Sequence, residues 1–172
     1  MIMPRGQQLL LPVNAFFMWG SLAVTLLLTM LPLGRLPWLP DLMALVLVFW
    51  SVHQPYRIGV GVAFGLGLLI DVQQSAMLGQ HALAYTILSF FALTIHRRLV
   101  WFSLVSQAFQ ILPLFVLAHA IMLITRLLGG AIFPGYSLVL APFIEAALWP
   151  LISVLLLAPQ RRAPDRDEHR PL

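Results

Sequence analysis

Residues 13–33 contain no aspartate, glutamate, lysine or arginine. That run is too long for the apolar core of a secretory signal, which is about 7–15 residues, so it is read as a retained segment. A backbone surrounded by hydrocarbon must satisfy its own hydrogen bonds, which restricts a long apolar run to α-helix. Similar runs recur along the chain. Of its 172 residues, 60% are hydrophobic and 9% charged, whereas a soluble domain is about 25% charged. So few charges cannot cover a water-facing surface. The expected fold class is all-α: a polytopic integral membrane protein. A transmembrane β-barrel is excluded, because its strands are only about 9–11 alternating residues long.

A spanning helix needs roughly 20 apolar residues, with about 17–25 tolerated. Six transmembrane helices are read on this measure, over residues 11–33, 38–53, 57–72, 80–96, 99–126 and 137–158. Pro55 lacks a donor N–H and, with His53, Gln54, Tyr56 and Arg57, forms a tight turn between the second and third. Residues 73–79 form a loop, Arg97 and Arg98 close the fourth span, and Gly129-Gly130 and Pro134-Gly135 break the chain before the last. Residues 1–158 then form a single transmembrane domain, and 159–172 a charged, disordered tail. Five spans is the alternative count, if the second and third pair as a shallow hairpin.

Charge favours six. With the N-terminus inside, Arg5, Arg57, Arg97, Arg98, Arg161, Arg162, Arg166 and Arg170 lie on the inner side, and only Arg35 and Arg126 on the outer. This asymmetry is the positive-inside pattern, and it puts both termini in the cytoplasm. It also explains the pI of about 10.7 without nucleic acid as a partner. The basic tail and Arg97-Arg98 suit anionic membrane lipid or a cytoplasmic partner.

The polar residues inside the spans are the candidate functional positions. Gly61 and Gly65 share a face of the third span, where small residues allow close helix packing, within the bundle or against a partner helix. Asp41 opens the second span, where a helix N-terminus favours negative charge. Asp71 ends the third span, where the dipole opposes it. It therefore needs another partner: Arg35, Arg126, a backbone N–H of the 73–79 loop, or a group on another protein. Glu145 lies about 10 Å below the outer boundary at 1.5 Å per residue, so it is either protonated or paired, with His119 or Arg126 as the candidates. Ser103, Gln107 and Gln110 form a polar stripe on the fifth span, read as an interhelical hydrogen-bond seam or the wall of a solute path.

Nothing in the pattern points to catalysis. The chain has no cysteine, which removes disulfides, thiolate chemistry and cysteine-ligated metal. The histidines do not have metal-ligand spacing, and nucleophile-elbow and phosphate-loop motifs are absent. Asp165, Asp167 and Glu168 stand in the tail, a poor place to preorganise a metal site. The expectation is no enzyme, no metal and no cofactor.

Several motifs occur in a telling order. Pro40-Asp41 leads into an aliphatic run that ends at Trp50, and Pro55-Tyr56-Arg57 forms the next turn. Gly65, Leu68 and Asp71 follow, then Leu78-Gly79 before Ala82-Leu83, and finally Leu148-Trp149-Pro150. In this order and spacing the chain resembles the bacterial rod shape-determining protein MreD family, most densely over residues 38–84. One departure is Ser75, where the family often has glycine, so a different turn is expected in that loop. The resemblance implies a non-catalytic scaffold or regulator in the inner membrane. Its expected partner is MreC, within a rod complex that includes MreB, RodA and a class B penicillin-binding protein and supports lateral peptidoglycan synthesis. In that reading Pro40, Asp41, Pro55, Arg57, Asp71, Leu78 and Gly79 are partner-binding or structural positions. The family is also similar in fold to the membrane substrate-binding subunits of energy-coupling-factor transporters, so a small-solute-binding membrane protein is the second expectation. That reading requires a closed polar cavity lined by the fifth-span stripe and Glu145.

Overall fold

The computed structural model describes residues 14–30 and 38–160. Its described residues form six α-helices: α1 (Ala15–Thr29), α2 (Leu42–His53), α3 (Val60–Gln73), α4 (Gln80–Leu99), α5 (Leu104–Leu128) and α6 (Leu140–Leu157). A 3-10 turn at Tyr136–Val139 leads into α6, and another at Ala158–Gln160 follows it. The expected flanks of the first span, the arginines Arg5 and Arg35, and residues 161–172 lie outside the described residues.

Local chemistry sets where the helices begin. Asn14 caps α1 by accepting from Phe16 N–H at 3.0 Å. Asp41 caps α2 by accepting from Ala44 N–H at 3.0 Å. These are the side-chain caps expected of Asn and Asp at a helix start. The second helix therefore starts after Asp41 and not at residue 38. The turn after α2 runs on to Gly59, so α3 begins at Val60 and not at residue 57. Gly79, at φ +99°, makes the left-handed step from which α4 starts. Ser103 caps α5 through Ser106 N–H. It is a helix cap, and the expected three-residue stripe reduces to Gln107 and the half-buried Gln110.

The core is centred on α2, whose residues from Met43 to Val52 are all buried. A helix that is apolar all round belongs in an interior, and α2 packs against α1, α4 and α6. The α4 helix also packs against α3 and α5, and α5 packs against α6. At 12 and 14 residues, α2 and α3 are only about 18 and 21 Å long at 1.5 Å per residue. The hydrocarbon core of a bilayer is about 30 Å thick. Among the described residues, two segments are long and apolar enough to cross it, Leu104–Leu128 and Tyr136–Gln160. The outside of the bundle is apolar too: Phe64, Leu69, Phe109, Leu151 and Leu155 are all exposed.

Several polar groups inside the bundle are paired across helices, whereas Ser153 Oγ is buried without a partner among the described residues. The Trp50 indole N–H donates to Ser21 Oγ at 2.8 Å, and the Ser51 and Ser89 hydroxyls meet at 3.1 Å. The Trp149 indole N–H donates to Gln107 Oε1 at 3.1 Å, and the Gln107 amide donates to Phe102 O.

The close approach between α3 and α4 runs through Gly67. A Cβ on Gly67 would stand 2.4 Å from Ala82 Cα and 2.6 Å from Ala82 N. Gly61 and Gly65 face outward, and a Cβ on either would have nothing within 4 Å. The expectation that they pack within the bundle is therefore corrected: they share a face with each other, but that face is turned away from α4.

Candidate functional site

Helices that alternate in direction bring the ends of α3 and α5 to the same end of the bundle as the starts of α2, α4 and α6. Asp41, Asp71, His81, Tyr85, His119 and Glu145 collect at that end. Arg57, Arg97 and Arg98 follow α2 or close α4, at the opposite end.

Asp71 turns inward and is fully buried. It accepts from Gly79 N–H at 2.9 Å, His81 N–H at 2.8 Å and Ala82 N–H at 3.3 Å. His81 Nδ1 also lies 2.8 Å from its Oδ1. Asp71 is thus a cap for α4 supplied from another helix. It stands in the last turn of α3, where the dipole opposes it, but its oxygens meet the positive end of α4. Of the partners considered, the structure provides the 73–79 loop, through Gly79, and the helix start just beyond it. Arg126 instead lines a cleft at this end with Gln74 and Gln80.

Asp41 joins three helices. Its Oδ1 caps α2, and its Oδ2 accepts from the Tyr85 hydroxyl of α4 at 2.6 Å. Its backbone N–H donates to Glu145 Oε1 of α6 at 2.8 Å. Glu145 is fully buried, and His119 Nε2 of α5 lies 3.4 Å from its Oε1. His119 Nδ1 is 3.1 Å from Phe115 O. A carbonyl only accepts, so Nδ1 carries a hydrogen, and the approach of Nε2 to the carboxyl is attractive only with a proton between them. Of the two partners expected for Glu145, His119 is the one in place. Its second oxygen, Oε2, is buried without a hydrogen-bond partner among the described residues.

The result is a chain of polar contacts, Asp71–His81 and Tyr85–Asp41–Glu145–His119. The rings of His81 and Tyr85 stand edge to face at 5.9 Å and join its two parts. All five helices from α2 to α6 contribute. Tyr85 is the member that sequence reasoning missed. It reads as one more aromatic residue in an apolar span, and its partner lies 44 positions away.

The remaining sequence-predicted positions lie at the surface or the turns. Pro40 immediately precedes the cap of α2. Pro55 is half-buried in the turn after α2, beside the exposed Tyr56 and Arg57. Leu78 is exposed, and Gly79 provides both the left-handed step and a donor to Asp71. Ser75 has a positive φ of 50°. The loop therefore keeps a conformation that glycine adopts freely, and a non-glycine residue bears the strain. No group of three or more potential metal ligands occurs among the described residues.

The comparisons agree with the motif order. A family model described as rod shape-determining protein MreD matches residues 12–158. The chain is also 28% identical over 135 residues to the rod shape-determining protein MreD of Haemophilus influenzae, a match that covers 76% of this chain and 81% of the relative. No solved structure matches the chain. The matched region runs through all six helices and includes every member of the buried polar chain, and on that match this protein belongs to the MreD family of rod shape-determining proteins.

Proposed function

We propose that the protein is a non-catalytic scaffold or regulator of the rod complex. In this reading it lies in the bacterial inner membrane with both termini cytoplasmic, binds MreC directly, and supports lateral peptidoglycan synthesis alongside MreB, RodA and a class B penicillin-binding protein. The main support is the use made of the membrane acids. Asp71 and Glu145 are fully buried, and with Asp41 they hold helices to one another. Each of the three engages a group on another helix or at another helix start, which is a structural use of the carboxylates. Helix faces and short loops are left as contact surfaces, among them the outward face of α3 with Gly61 and Gly65.

The test is co-purification of the intact protein with MreC in mild detergent. MreC should be retained, and removing the protein from a rod-shaped host should round the cells. A well-expressed sample that retains no MreC contradicts the reading. The solute-binding alternative, and the transporter-subunit likeness behind it, would need the fifth-span stripe, with Gln107, and Glu145 to line a closed polar cavity. Both are buried, with Gln107 engaged by Trp149 and Glu145 Oε1 by the Asp41 amide, and no observation favours that reading over the scaffold.

A further inference from the structure

A cleft of about 470 Å³ opens at the same end of the bundle as the buried acids, between the α3–α4 loop and the end of α5. Gln74, Ser75, Met77, Gln80, Arg126 and Gly129 line it. Its volume falls within the range of roughly 300–1,000 Å³ typical of small-ligand sites. We propose that this cleft binds the phosphate of an anionic lipid headgroup, with Arg126 as the principal contact.

The sign of the charge follows from what surrounds the cleft. The acids Asp41, Asp71 and Glu145 at this end are hydrogen-bonded within the bundle, and Asp71 and Glu145 are fully buried. Arg126 is exposed. Three carbonyls of its own helix end are already satisfied: Gly129 N–H donates to Thr125 O at 3.0 Å, Gly130 N–H to Leu127 O at 3.0 Å, and Ala131 N–H to Arg126 O at 3.2 Å. The end of α3 closes similarly, with Ala76 N–H donating to Asp71 O at 2.9 Å. The guanidinium is therefore not required as a helix cap, and it presents the planar donor fork that suits phosphate. Gln74 and Gln80 add amide groups to the lining, and Ser75 a hydroxyl.

The position of the cleft favours a lipid over a free anion. It lies where the apolar helices stop, the depth at which headgroups sit, and the guanidinium of Arg126 there can form charge-assisted hydrogen bonds to a headgroup phosphate. Leu78, Leu128 and Ile132, next in sequence to lining residues, are 69%, 81% and 87% exposed. A free phosphate gains nothing from such apolar neighbours, whereas a lipid can lay its chains along them. Met77 ties the two walls together, its sulfur 2.8 Å from where a Gly129 Cβ would be.

The experiment is native mass spectrometry of the full chain in a neutral maltoside detergent, with phosphatidylglycerol, phosphatidylcholine or inorganic phosphate added. Wild type should retain one phosphatidylglycerol in preference to phosphatidylcholine. Arg126→Gln should bind it about tenfold more weakly, a loss of roughly 1.4 kcal/mol, and Arg126→Lys should keep part of the affinity. Because Arg126 is exposed, both variants should retain the wild-type helical circular dichroism, which is measured alongside. Equal phosphatidylglycerol retention by wild type and Arg126→Gln would overturn the site. Equal retention of the two lipids would overturn the preference for an anionic headgroup. Full displacement by equimolar inorganic phosphate would overturn the lipid as its source.

Discussion

Asp71 lies in the last turn of its own helix, and its oxygens collect three backbone N–H groups at the start of the next. The sequence shows the acid and the unfavourable end of the helix, and from these the need for a partner. It does not show which partner, because that depends on how tightly the 73–79 loop folds back. Tyr85 was less legible still. Nothing local marks a tyrosine as the donor to Asp41, whereas the 2.6 Å contact makes it one. Hydrogen bonds to charged groups contribute about 1.5–3 kcal/mol. Tyr85→Phe should therefore lower stability by about that amount in thermal unfolding of the detergent-solubilised protein. Tyr56→Phe, at a side chain 97% exposed, should leave the transition unchanged.

At the scale of elements, hydropathy and punctuation were enough to find all six helices. The boundaries shifted where a cap or turn took residues from the expected run: Asp41 at the start of α2, Gly59 before α3 and Ser103 before α5. Spacing correctly put Gly61 and Gly65 on one face, but periodicity within one helix cannot say which face meets a neighbour. The face that meets α4 carries Gly67. Gly67→Ala should force α3 and α4 apart and cost about 1–3 kcal/mol, the usual range for overpacking. Gly61→Ala and Gly65→Ala should unfold at the wild-type temperature or slightly above, since the added methyl meets open space. Thermal unfolding of the three variants side by side checks this, and equal losses in all three would contradict the assigned packing face.

For the whole molecule, the proposed orientation puts the polar chain at the outer end and Tyr56 at the inner. The chain has no cysteine, so single cysteines can be placed on a clean background. Leu78→Cys should react with a membrane-impermeant maleimide in cells whose outer membrane alone is opened. Tyr56→Cys should react only after the inner membrane is opened as well, and the reverse pattern would invert the topology. The central claim is that the outer-end acids hold the bundle together and are not themselves a docking site. The most direct measurement is thermal unfolding of the purified protein without any partner, comparing wild type with Asp71→Ala. Loss of the carboxylate leaves the Gly79, His81 and Ala82 N–H groups without their acceptor, at about 1–3 kcal/mol for each buried donor left unsatisfied. For a chain of this size a loss of about 3 kcal/mol lowers the midpoint by about 6–12 °C. A fall of that size is the predicted result; an unchanged midpoint together with lost MreC binding would make Asp71 a partner contact and contradict the account.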